Sequence, residues 1–198
     1  MARFQTLGKS LKIGGMMTIF FPASANVGLA CEASRKWVKE KYNIYDPVCH
    51  VANHLYTGAK VLAGHNEALD FIEANKKDFG IRKCKRLPVS GAFHTQMMHP
   101  ALDPFQEFLN SLTVSDPRIP VYSNFESAIY RDARNVKKIL PRQLVNNVKW
   151  EAVINNLMKY KSEDQWPRMI ECGPGNSLTA MTKQISGKFA KRSSIVPA

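Results

Sequence analysis

Apolar and polar positions switch between two periods along the first half of the chain. Met16-Met17-Thr18-Ile19-Phe20-Phe21 is a β-rich run that ends at Pro22 and predicts a strand. Behind Asn26, a suitable helix cap, Val27, Ala30, Trp37, Val38 and Tyr42 recur at three- and four-residue steps and predict a helix. Pro47 stops the connection, and Val48 to His54 reads as a second strand. A turn holding Gly58 leads to a short partner strand over Lys60 to Ala63. Ala68, Leu69, Ile72 and Phe79 share one face of a helix expected from about Asn66 to Phe79, which Gly80 ends as a left-handed cap. Ile81 to Val89 returns as a strand. The order βαββαβ is that of a ferredoxin-like unit.

The second half changes character. Pro100 is placed to open a helix whose buried face is Leu102, Phe105, Phe108, Leu109 and Leu112. Pro117 and Pro120 bracket a loop into a strand Val121-Tyr122-Ser123. A helix from about Asn135 to Val145 is interrupted at Pro141, which should kink or restart it. Another runs from Trp150 to Tyr160 on Val153, Ile154, Leu157 and Met158. Met169 to Cys172 is a short strand entering Gly173-Pro174-Gly175, and a last helix carries Leu178, Met181 and Ile185. Strands alternating with helices predict an α/β layer with a mainly parallel sheet.

Composition narrows the class. With 44% apolar residues, 198 residues can bury one core or two small ones. The longest apolar patch, Met16 to Pro22, is far below the roughly 18 residues of a membrane span. Met1 to Ile13 lacks the apolar run and small-residue cleavage site of a secretory signal; its Arg3, Lys9 and Lys12 only loosely match a transit peptide. Cys31, Cys49, Cys84 and Cys172 show no CxxC spacing and read as reduced thiols. Cys49, His50 and His54 form the one candidate zinc group, and they fit a strand and its exit turn better, so no metal is expected. The net charge of +12 gathers at Arg35-Lys36-Lys39-Lys41, Arg82-Lys83-Lys85-Arg86 and Arg131-Arg134-Lys137-Lys138-Arg142. Such fields suit a polyanion or acidic partner, or simply solvent. RNA-binding βαββαβ units place aromatics on central strands, and Ile81 to Val89 has none, so no nucleic acid is expected.

Leu87-Pro88-Val89-Ser90-Gly91-Ala92-Phe93-His94-Thr95 carries the clearest chemistry. A strand ending in a glycine turn would deliver His94 to the tip of the sheet, where open α/β folds bind ligands. Histidine titrates near neutrality and serves there either as a general base or as a loop cap.

Pro88-Val89-Ser90-Gly91-Ala92-Phe93-His94 resembles the histidine motif of the malonyl-CoA:acyl carrier protein transacylases, in their animal mitochondrial form. Asn53 through Val61-Leu62-Ala63-Gly64-His65, Val121-Tyr122-Ser123-Asn124, Gln143-Leu144 with Val148-Lys149-Trp150, Glu171-Cys172-Gly173-Pro174-Gly175 and Gly15-Met16-Met17 resemble further family segments. The resemblance spans Gly14 to about Lys183. It implies a partial α/β-hydrolase-like acyltransferase domain with an inserted ferredoxin-like subdomain. Residues 1–13 would be the remnant of a large-subdomain helix, 14–87 the small subdomain, and 88–198 the C-terminal part of the large one. It also implies transfer of malonyl from malonyl-CoA to an acidic acyl carrier protein in the mitochondrial matrix, by a monomer, without cofactor. His94 would be the general base and the Gln143 carbonyl would orient it, although the side chain of Gln143 alone reads as an ordinary helix position. Pro141 stands where the family has a helix former. Asn53 is a pocket residue or an ordinary turn residue, and Asn124 a substrate contact or a loop cap. The family's G-x-S-x-G elbow and G-Q-G segment are expected before residue 1, and no G-x-S-x-G occurs in the chain. Arg3 does not match the family's carboxylate-binding arginine. The 198 residues alone are therefore expected to be inactive, and a non-catalytic fragment that binds coenzyme A or carrier protein is the alternative.

Overall fold

A computed structural model describes residues 14–159 and 162–197. The transit-like segment and the helix remnant at 1–13 lie outside the described residues, as does Tyr160.

Strand β1 (Gly14–Phe20), helix α1 (Val27–Tyr42), strands β2 (Cys49–Tyr56) and β3 (Ala59–His65), helix α2 (Asn66–Ala74) and strand β4 (Lys83–Arg86) follow in that order. The strands form one sheet in the order β2-β3-β1-β4, and every pair in it is antiparallel. The alternation along β1 explains its two faces. Met17 and Ile19 join Leu62, Val38, Leu69 and Ile72 under the two helices. Met16 joins Ala52, Val61 and Ala63 on the opposite face, where Ala92, Phe93 and Met97 cover it. Burying each large side chain of these clusters is worth about 1.5–3 kcal/mol, so both faces are firmly occupied.

Local chemistry sets the ends. The Asn26 side chain accepts from the amide of Leu29 at the start of α1. Helix α2 stops at Ala74, shorter than the expected Phe79, where the Asn75 side-chain amide donates to Phe71 O at 2.8 Å and shares that acceptor with the last helical amide. Gly80, at φ +71°, instead closes the following turn: its amide bonds Lys77 O and that of Ile81 bonds Lys76 O. Strand β4 is also shorter than the expected Ile81 to Val89. Leu87 makes the last ladder bond, to Met16 O at 2.9 Å, and Pro88 has no amide to continue it.

The remaining residues place Pro100 inside a 3-10 turn (Gln96–Ala101), with α3 (Leu102–Ser111) starting after it rather than at it. The expected strand Val121 to Ser123 is a single antiparallel bridge between Tyr122 and Ile129. Helix α4 (Ala133–Ile139) gives way to a 3-10 turn, Pro141–Leu144, so the proline restarts the chain in a tighter winding. Helix α5 (Trp150–Lys159) precedes β5 (Met169–Cys172), α6 (Ser177–Ile185), α7 (Gly187–Ala190) and β6 (Ser193–Val196). Strands β5 and β6 form the one parallel pair among the described residues. The mainly parallel sheet expected from the alternating pattern is thus corrected. The described architecture is a mixed α/β one, dominated by an antiparallel sheet because β2 and β3 are joined by a tight turn that forces reversal.

Candidate functional site

The loop after β4 packs Ala92, Phe93 and Met97 against one face of the sheet, at the end where β1 begins with Gly14. One glycine makes room for it, and another lets the neighbouring strands close. A Cβ on Gly14 would come within 2.8 Å of Ala92 Cβ, and one on Gly64 within 2.0 Å of Val48 O. The first lets the loop settle on β1, and the second lets β2 close against β3. The Thr95 hydroxyl then donates to Ala92 O at 2.7 Å and accepts from the Met97 amide at 3.3 Å, fixing the loop around His94. Its residues bury apolar surface on both sides of the histidine.

His94 itself is half-buried and holds φ +63°, a left-handed conformation uncommon outside glycine. Two hydrogen bonds maintain it. Its amide donates to Leu144 O at 3.1 Å, and its Nδ1–H donates to Gln143 O at 2.8 Å. A carbonyl can only accept, so Nδ1 carries the proton and Nε2 keeps its lone pair. Pro141, fully buried, starts the turn that presents these two consecutive carbonyls. Within that turn the Gln143 amide donates to Leu140 O, and the Gln143 carbonyl accepts from the imidazole. The arrangement is a lone-pair nitrogen of fixed tautomer on a clamped ring, suited to taking a proton from a hydroxyl.

The segment after this turn reaches the other candidate residues. Val148 exchanges hydrogen bonds with Ala52 O and the His54 amide, and pairs with Asn53 in a parallel bridge. Asn53 sits at an irregularity of β2, and its Oδ1 is buried with no donor among the described residues. The Lys149 amide donates to Asn124 O at 2.8 Å; Asn124 is exposed. One strip, residues 143–149, therefore bonds the chain at His94, beside Asn53 and at Asn124. The family resemblance pointed to Gln143-Leu144 and Val148-Lys149-Trp150, but not to the bonds by which this strip ties His94, the neighbourhood of Asn53 and Asn124 together.

The basic run before His94 divides. Arg82, Lys83 and Lys85 are exposed, whereas Arg86 pairs with Asp70, lies 3.5 Å from Glu73, and donates to Asn66 O. Arg86 fastens β4 to α2 and is not a free surface cation. Burial lowers the pKa of His50 and of His54, helped by the Arg35 charge at the first and Lys60 at the second. His54 Nε2 faces the Asn147 amide at 3.2 Å. Among the described residues no group of three or more His, Cys, Asp or Glu side chains could hold a metal ion. None of their helices is long and apolar enough to cross a membrane.

No protein-family model matches the chain. Over 180 residues it is 40% identical to a Drosophila melanogaster protein named "Probable malonyl-CoA-acyl carrier protein transacylase, mitochondrial", with 91% of this chain and 47% of that protein aligned. The human mitochondrial malonyl-CoA-acyl carrier protein transacylase is 36% identical over 182 residues, covering 92% of this chain and 46% of the human one. The chain is homologous to the malonyl-CoA:acyl carrier protein transacylases. The solved transacylase of Coxiella burnetii superposes with a TM-score of 0.78 at 27% identity, over 98% of this chain and 56% of that one. The chain thus spans about half the length of the transacylases it matches. The mitochondrial placement implied by the family resemblance agrees with the names of the animal relatives.

Proposed function

We propose that the protein containing this chain transfers malonyl from malonyl-CoA to the phosphopantetheine thiol of acyl carrier protein, with His94 as general base. The observation that carries the reading is the 2.8 Å bond from His94 Nδ1–H to Gln143 O, which leaves Nε2 to accept a hydroxyl proton. Transfer between thioesters is nearly balanced in bond energy, so catalysis needs an activated nucleophile more than a strong driving force. Protonation of Nε2 puts a positive charge on the ring, and the Gln143 carbonyl dipole stabilises it without a carboxylate. Asn53 Oδ1, buried and without a donor among the described residues, suits an amide of the pantetheine arm; Asn124 flanks the same strip. No cofactor is required, and the expected partners are malonyl-CoA and an acidic carrier protein. The βαββαβ order of residues 14–87 supports a ferredoxin-like subdomain inserted in a hydrolase-like domain that includes residues 88–198. A monomer in the mitochondrial matrix completes the reading.

An alternative reading gives His94 no catalytic step. It makes the protein a non-catalytic binder of carrier protein or coenzyme A. Both readings meet one experiment. The intact protein is incubated with radiolabelled malonyl-CoA and carrier protein, as wild type and as His94→Ala. The first reading expects a labelled carrier and a drop in turnover of about 10² to 10⁴-fold in the variant. Unchanged turnover in a folded variant refutes the role of His94, and absence of label on both proteins supports the binder.

A further inference from the structure

Phe125 holds two cations beside the candidate site. The Arg142 guanidinium lies 5.1 Å from its ring centroid and the Lys149 ammonium 5.4 Å. The two charges are therefore no further apart than these two distances combined. Two like charges over one ring repel, more weakly the nearer their separation comes to that upper bound, where salt screens most of the interaction. Neither cation has a carboxylate within ion-pair distance among the described residues. An anion that met both would relieve the repulsion and gain charge-assisted hydrogen bonds.

Their backbone is tied to the chemistry. Arg142 immediately precedes the Gln143 carbonyl that holds His94, and the Arg142 carbonyl accepts from Asn146 Nδ2 at 2.7 Å. Lys149 is anchored through its amide to Asn124 O, and its side chain borders a groove of about 310 Å³ shared with His54, Glu151 and Asn155. Because Nδ1 faces this strip, Nε2 and any acyl group it serves lie at the opposite edge of the imidazole. A three-carbon acyl group has little reach around the ring, whereas a long arm passing the histidine can place a distal charge here.

We propose that Arg142, Phe125 and Lys149 form a phosphate clamp for the phosphopantetheine arm, a reading that rests on the transfer reaction proposed above. The ring fixes the two cations, so less side-chain freedom is lost when the phosphate binds. Phosphate is the shared chemistry of the two sources of this arm, coenzyme A and the loaded carrier protein.

The test uses the intact protein and the double variant Arg142→Gln/Lys149→Gln. With malonyl-CoA the variant should show a KM raised about tenfold, equivalent to about 1.4 kcal/mol, with little change in kcat. With malonyl-pantetheine, which lacks phosphate, kcat/KM should stay at the wild-type value. A parallel rise in the KM of carrier protein assigns the clamp to the single phosphate common to both; a rise with malonyl-CoA alone assigns it to the nucleotide's phosphates. Equal losses with both malonyl donors, or no loss with either, overturn the clamp. Calorimetry with phosphopantetheine and with coenzyme A decides it even if no donor supports transfer. About tenfold weaker binding of either by the variant sustains the clamp. Equal binding by both proteins, or none by wild type, removes it.

Discussion

Gly14→Ala should damage turnover more than it damages the fold. The added Cβ would stand 2.8 Å from Ala92 Cβ, 2.8 Å from Gly64 O and 3.1 Å from Met97 Cε. Carbon pairs prefer about 3.5–4.0 Å, so the loop or the strand must yield by about 1 Å. Strand β1 is held on both edges by β3 and β4, whereas the loop rests on its Thr95 bonds and its contacts with the sheet. The loop is the softer side and should give way at Ala92 and Met97, leaving the Gly64 O contact to a small adjustment of the β1–β3 ladder. Overpacking of this kind costs about 1–3 kcal/mol, which a folded domain commonly survives. A shift of about 1 Å in a catalytic group can cost about 10²-fold in rate, and His94 lies two residues from Ala92. Ala92→Gly in the Gly14→Ala background removes one of the clashing carbons and should recover part of the lost rate. Thermal unfolding and kcat for malonyl transfer by the intact protein are measured across the full double-mutant cycle. Near-normal kcat in folded Gly14→Ala, or no recovery in the double variant, would refute the claim that this contact seats His94.

Two further outcomes separate surface charge from structure. Lys83→Glu should raise the carrier-protein KM, more steeply at low salt, because exposed charges are screened over about 10 Å at 0.1 M. Arg86→Glu should instead lower the unfolding temperature, since it sets a third carboxylate against Asp70 and Glu73; the reverse pattern would contradict the assignment of Arg86 to the fold. The Thr179 hydroxyl beside Glu171 and the amides of Leu178 and Thr179 hold that carboxyl below its ordinary pKa, and only the amides meet hydrogen-bond geometry. A depressed folded pKa contributes stability above the unfolded value, about 4.3, and loses it as pH falls through the folded value. Urea midpoints from pH 7 down to pH 3 should thus fall less steeply in Glu171→Gln than in wild type, and parallel curves would show that the carboxylate does not cap α6.

The elements that periodicity revealed are those whose partners are local. Asn26 to Tyr42 announces itself because its apolar positions face one sheet and its cap lies in the same few residues. The length of β4 was not legible, since it depends on where Pro88 meets the ladder of β1, far away in sequence. Strand β6 was missed for the same reason: Ser193-Ser194-Ile195-Val196 shows no pattern of its own and is defined by pairing with Met169–Cys172. At the candidate site, motif resemblance singled out His94 and Gln143, but the physical reason for their pairing lies in Pro141. A proline within a helical pattern looks like a fault when read along the chain. In three dimensions it ends α4 and winds the next turn more tightly, so that two successive carbonyls face one histidine. A regular helix continued to Val148 would have pledged the Gln143 and Leu144 carbonyls to the amides of Asn147 and Val148. Because the chain leaves helical winding at Leu144, those two acceptors stay open and His94 takes both.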